Sequence, residues 1–380
     1  MKQLLLIFNL IATFFQYTPV TYAASDPLSM PNNKIGIHIL FTSELNEAAN
    51  LVNTSNGDWG YVLIPIQSGD KDLKKWQSFM DDAAQKHLIP IVRLATEGDY
   101  FNTTVWRRPT EADILDFANF LNSLTWPTRN RYIVVFNEVN RGDEWGGSAN
   151  PTEYAQLLSY ATTVFNYLNP DFFVISSGLD NAAPDQGTDF INEYTFLRAM
   201  NQASPGIFEH IDGIASHAYP NPGFAQPPSS RGTQGVGSFA YERDLIKQFT
   251  GKKLPIFITE TGWSSDKVPT KTQAEYYRTT LSSIWNDPDI VAITPFVLRA
   301  AGPFAQFSLI DQSGNQTDQY LALKNTPKVK GSPMITRQVL AASASYDNLP
   351  EKKFKTETVE KPTKTLSQQL QATFAWMMKL

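Results

Sequence analysis

Eight short apolar runs alternate with amphipathic stretches along this 380-residue chain, and the pattern predicts a single-domain α/β fold, the (β/α)8 TIM barrel. Two further observations support it. The runs are apolar almost throughout rather than at every second residue, as parallel strands covered on both faces require. Eight strand–helix units in about 270 residues also match the size of such a barrel.

The runs are Ile35–Leu40, Trp59–Ile66, Leu88–Leu94 and Arg131–Asn140, then Phe172–Leu179, Ile211–Tyr219, Leu254–Trp263 and Val291–Arg299. Helices are expected between them at Leu73–Lys86, Thr110–Leu124, Pro151–Tyr167, Asn192–Asn201, Ala240–Phe249 and Lys271–Trp285. Asp or Thr stands near several of their starts, where its side-chain oxygen can accept from the first free N–H groups. Strand–helix alternation implies right-handed crossovers between parallel neighbours. A doubly wound sheet is the alternative. Against it, Leu40–Glu44 after the first run holds no glycine, so the usual phosphate-binding turn is missing.

The ends read differently. Residues 1–24 resemble a secretory signal: Lys2, an apolar run Leu4–Phe15, then Thr21-Tyr22-Ala23-Ala24 as a small-residue cleavage site. An uncleaved anchor or a buried first helix is the other reading. Export would place the protein outside the cell or in the envelope or periplasm. Residues 25–326 are expected to form the barrel, and 327–365, rich in Lys, Thr, Ser, Glu and Pro, a linker-like tail. In 366–380, Leu366, Leu370, Phe374 and Met378 make one helical stripe. That helix could dock on the body, fray in solvent, or hold weakly to an envelope surface. No other segment approaches the roughly 20 apolar residues of a spanning helix, and a monomer is expected.

Composition removes several functions. With 42 % hydrophobic and 18 % charged residues, the chain as a whole has a core to bury. There are 32 Lys and Arg against 37 Asp and Glu, a net charge of −5, so no basic surface for nucleic acid is expected. The absence of cysteine excludes thiol catalysis, disulfides and Cys-based metal sites. The four histidines, His38, His87, His210 and His217, show no metal-binding spacing, and neither a metal nor a cofactor is expected. An aromatic content of 12 % offers flat faces on which sugar rings stack.

In a barrel the C-terminal strand ends share one mouth, where chemistry gathers. Polar residues stand at those ends: Arg93 on the third run, Asn137 and Glu138 on the fourth, His217 and Tyr219 on the sixth, Glu260 on the seventh. His38 interrupts the first run. Two carboxylates reaching one mouth can flank a glycosidic bond, one protonating the leaving oxygen and the other attacking the anomeric carbon. Their environments must then push their pKa values apart.

Phe136-Asn137-Glu138-Val139 resembles the strand-four Asn-Glu pair of clan A retaining glycoside hydrolases, and Ile258–Trp263 their strand-seven nucleophile segment. The wording Glu260-Thr-Gly-Trp263 is similar to family 17 β-1,3-glucanases, and His217-Ala-Tyr219 to the His-x-Tyr of family 5. The resemblance covers roughly residues 35–300. It implies a carbohydrate substrate and a β-glycosidase, with Glu138 as acid/base, Glu260 as nucleophile and Asn137 on the sugar 2-hydroxyl. It also places His217 and Tyr219 around the nucleophile or the substrate. Arg93 is expected to partner Glu260 and favour its ionised form. His38, Trp145 and Trp263 are further candidates for substrate contact, the two tryptophans by stacking. A barrel that binds glycans without cleaving them, or an envelope-associated scaffold, is the competing reading.

Overall fold

A computed structural model of the protein describes residues 24–336. The expected signal segment apart from Ala24, the tail from 337 to 365 and the helix at 366–380 lie outside the described residues.

Each of the eight expected runs overlaps a strand: β1 Gly36–His38, β2 Gly60–Gln67, β3 Leu88–Ala95, β4 Arg131–Val134, β5 Phe172–Ile175, β6 Ile214–His217, β7 Ile256–Glu260 and β8 Ile290–Ile293. All named pairings are parallel, in the orders β1 to β5 and β6 to β8. Single parallel bridges close the two seams, Ile175 with Gly213 and Ile35 with Ile293. The strand order therefore runs once around and returns to its start, which closes a barrel rather than leaving a doubly wound sheet.

The helices are α1 Leu45–Val52, α2 Leu73–Gln85, α3 Glu111–Ser123, α4 Pro151–Leu168, α5 Glu193–Ala203, α6 Ser238–Ile246, α7 Thr270–Ser282 and α8 Asp318–Asn325, with one extra turn at Ile207–His210. The caps are local chemistry. Asp72 accepts from Lys75 N, Asn150 from Thr152 N and Glu153 N, and Thr110 and Asp113 cap reciprocally. Helices α1 and α8 were not anticipated. Each is eight residues long, too short for its periodicity to stand out.

Two apolar layers follow. Inside the barrel, Tyr61, Leu63, Ile91, Tyr132, Phe173 and Phe257 interlock. A larger cluster fills the space between strands and helices. Fully burying a side chain such as Ile91 or Phe257 contributes about 1.5–3 kcal/mol, so the inner layer fixes the strands that carry the mouth.

Two expectations about extent need correction. Strand β4 stops at Val134 rather than reaching Asn140, because Phe136 and Glu138 adopt left-handed φ of 69° and 36°. The polar tail does not open at 327. Lys328 is buried, its Nζ donating to the carbonyls of Leu323, Lys324 and Thr326. Residues 330–335 then bridge to Asp58 and Thr128 at the N-terminal rim of the strands. Backbone pairing outweighs their polar composition. The segment from Ala24 closes the same rim, with Ala24 N donating to Pro170 O and Asn32 Nδ2 to Val291 O.

Candidate active site

At the opposite rim, the C-terminal strand ends surround a cleft of about 230 Å³. The sequence brings two carboxylates there by different routes. Glu260 is the last residue of β7, 6 % exposed. Glu138 lies just beyond β4, in the segment bent by the positive φ values at 136 and 138. In a regular strand Asn137 and Glu138 would face opposite sides. The two left-handed residues break that alternation, and Phe136, Asn137 and Glu138 all line the cleft. Such a conformation costs about 1–3 kcal/mol per residue and clusters at working sites.

One oxygen of Glu138, one of Glu260 and a ring nitrogen of His217 all lie within 4.8 Å of one another. Arg93 NH1 donates to Glu260 Oε1 at 2.7 Å and also to Asn137 Oδ1. Tyr219 donates its hydroxyl proton to Glu260 Oε2 at 3.0 Å. His217 Nδ1 is 2.9 Å from Glu138 Oε1 and 3.9 Å from Glu260 Oε2. A register shift between Ser216 and His217 sets His217 opposite Glu260 of β7. Burial alone would favour the neutral ring, but Glu260 and Glu138 together outweigh it and raise the His217 pKa. Glycine at 178 makes room: a Cβ there would land on the His217 ring.

His38 is fully buried below this group, its Nδ1 3.5 Å from Glu260 Oε1. Burial first, then Arg93 and His217, hold its pKa well below the usual histidine range. His38 is therefore a neutral ring packed edge-on against Phe296, not a surface the substrate reaches. Trp145 and Trp263 are corrections of the same kind. Each is 1 % exposed, with Trp145 Nε1 on Glu153 Oε2 and Trp263 Nε1 on Gln226 O. Both are core residues behind the mouth, and neither has a free face for stacking.

The aromatic walls come from elsewhere. Tyr100 and Trp106, 6.1 Å apart on the loop after β3, form one side, and Phe224 and Phe304 line the cleft with them. Further polar residues of the cleft escaped the sequence reading, among them Arg107, Arg141, Glu144 and Asp180. Arg141 ties Asp143 at 2.7 Å, Asp180 at 3.1 Å and Glu138 at 3.7 Å. Burial, then Glu138, pushes the Glu144 carboxyl up to about 8. Burial and Glu138 also raise the Asp180 pKa. Asp180 was findable, since it follows β5 as Glu138 follows β4. Glu144 neighbours Trp145, and nothing in the one-dimensional pattern says which of the two faces the cleft.

The trio Glu138, His217 and Glu260 could geometrically offer three ligand atoms to a cation. Arg93 and Arg141 already bring positive charge to both carboxylates, and a metal would have to compete with them.

The fold is that of (β/α)8 glycoside hydrolases. Among solved structures that share it is a family 39 glycoside hydrolase from the gut symbiont Bacteroides cellulosilyticus WH2. It has 17 % identity and a TM-score of 0.54 over 80 % of this chain and 65 % of that one. This chain thus spans just under two thirds of that enzyme. A GH128 (subgroup II) endo-β-1,3-glucanase from Sorangium cellulosum matches with 16 % identity and TM-score 0.52, over 77 % of this chain and 98 % of that one. The GH5_18 protein of Streptomyces cattleya, in complex with GlcNAc, matches with 17 % identity and TM-score 0.55, over 78 % and 80 %. No protein-family model matches the chain, and no curated protein matches it by sequence. Among the described residues no helix is long and apolar enough to cross a membrane.

Proposed function

We propose that the protein is a retaining β-glycoside hydrolase, with Glu138 as acid/base and Glu260 as nucleophile. The observation that carries this reading is the approach of the two carboxylates, an oxygen of each within 4.8 Å. Retaining enzymes hold their carboxyl groups about 5–5.5 Å apart, and inverting ones about 6.5–9.5 Å to admit a water. In the first step Glu138 gives its proton to the leaving oxygen while Glu260 forms a bond to the anomeric carbon. In the second, Glu138 takes a proton from water, whose oxygen displaces Glu260. Arg93 and Tyr219 each place a donor on Glu260, so its charge is balanced before attack and after release. Asn137, fixed by Arg93, is positioned for the sugar 2-hydroxyl. We also propose export to the cell exterior or envelope, on the signal-like segment at 1–24.

The test assays the protein on β-1,3-glucan, β-1,4-glucan, xylan and mannan, reading the anomer first released by NMR. The β anomer is expected, and Glu138→Gln and Glu260→Gln should each lower kcat by at least about 10²–10⁴. An α product overturns retention. Binding without turnover across the panel favours the non-catalytic barrel instead.

A further inference from the structure

Among the described residues, each arginine lining the cleft is already in an ion pair. Arg93 lies 2.7 Å from Glu260. Arg107 is 2.7 Å from Asp113 and 2.8 Å from Glu97. Arg141 holds Asp143, Asp180 and Glu138. The lining acids are Glu138, Glu144, Asp180 and Glu260. A sugar carboxylate or sulfate entering here would meet only guanidinium groups already paired with acids, and four lining acids besides, so it would give up hydration for little compensating charge. A cationic amino sugar would meet Glu138, Asp180 and Glu260 already paired with Arg141 or Arg93, and Glu144 in surroundings that favour its protonated form.

The remaining wall is apolar and held in place. Trp106 N donates to Asp143 O, and Gly146 N donates to Trp106 O, which ties the ring-bearing loop to the loop that carries Glu144. Glycine at 98 accommodates the indole, since a Cβ there would overlap its six-membered ring. Tyr100 stands beside it at 6.1 Å. Aromatic rings receive the C–H face of a sugar, and the raised pKa of Glu144 leaves it a neutral hydrogen-bond donor near pH 7.

We infer that this cleft selects an uncharged glycan seated on the Tyr100–Trp106 wall, and discriminates against both acidic and amino sugars of the same linkage. The inference rests on the glycoside reading above and names the substrate class within it.

The experiment uses the unmodified protein and non-cleavable thio-linked glucotetraoses, β-1,3 and β-1,4, each in three forms: neutral, oxidised to the C6 carboxylate, and with 2-amino groups. Calorimetry should show the neutral form binding at least about tenfold tighter than either charged form. Trp106→Ala should weaken neutral binding about tenfold, and Trp106→Phe should recover most of it, which separates a lost ring from a lost fold. A charged form that binds as tightly as the neutral one overturns the inference and leaves the glycoside reading intact. Neutral binding that Trp106→Ala does not change overturns the stacking wall. Binding of no form, together with no turnover on the polysaccharide panel, removes the glycoside reading and the inference with it.

Discussion

His217 Nδ1 sits 2.9 Å from Glu138 Oε1, in a pocket that leaves the histidine 1 % exposed. A buried imidazole held against two carboxylates is a charge stored inside the barrel. Its raised pKa makes it a stabilising cation whose contribution depends on pH. The folded pKa lies above the ordinary value of 6.5, so the contribution is complete below 6.5 and is lost as pH rises through the folded value. The stability gap between the protein and His217→Phe should therefore be widest near pH 6 and shrink on the alkaline side. Denaturant melts at several pH values measure it, and a gap that does not vary with pH would show that folding leaves the His217 pKa unshifted.

Tyr219→Phe keeps a ring that packs edge-on against Phe224 and removes only the hydroxyl on Glu260. A hydrogen bond to a charged group is worth about 1.5–3 kcal/mol. The variant should melt several degrees below the parent but fold, while kcat/KM falls by about one to two orders of magnitude, as read by calorimetry and steady-state kinetics.

Gly178→Ala should act at a distance from substrate. Its methyl would occupy the space of the His217 ring, and Glu138 N bonds to Gly178 O at 3.0 Å, so relief in either direction moves Glu138, the proposed acid/base. Overpacking of this kind costs about 1–3 kcal/mol. Turnover should drop together with thermal stability, whereas Gly251→Ala, whose Cβ would meet open space, should change neither.

Behind β6, Glu193 and Glu242 are buried side by side between α5 and α6, with Ser216 Oγ donating to Glu242 Oε1 at 2.7 Å. Burial pushes Glu242 up to about 7, and burial with Glu242 raises Glu193 further. Acids raised on folding stabilise most when protonated in both states, below about 4.5, and stability falls as pH climbs from there through 7. Glu242→Gln should flatten that slope and raise the melting temperature above pH 7, as differential scanning calorimetry across pH would record.

The strands and the two carboxylates were legible because each is a local signal: a continuous apolar run, then a polar residue where it ends. The site's walls were not. Trp145 and Trp263 stand next to the carboxylates in sequence but turn into the helical layer, while Trp106 reaches the cleft from a loop with no periodicity of its own. Residues 327–336 misled for a related reason. Their polar side chains describe a linker, and their backbone pairing with Asp58 and Thr128 cannot be seen in composition.

Ala24 and Thr336 are both fastened at the floor of the barrel, to Pro170 and Pro127. A bead, an electrode or a fused reporter joined at either position would hang beneath the molecule. The cleft at the opposite rim would then point away from the support, so long polymers could reach it without steering past their anchor.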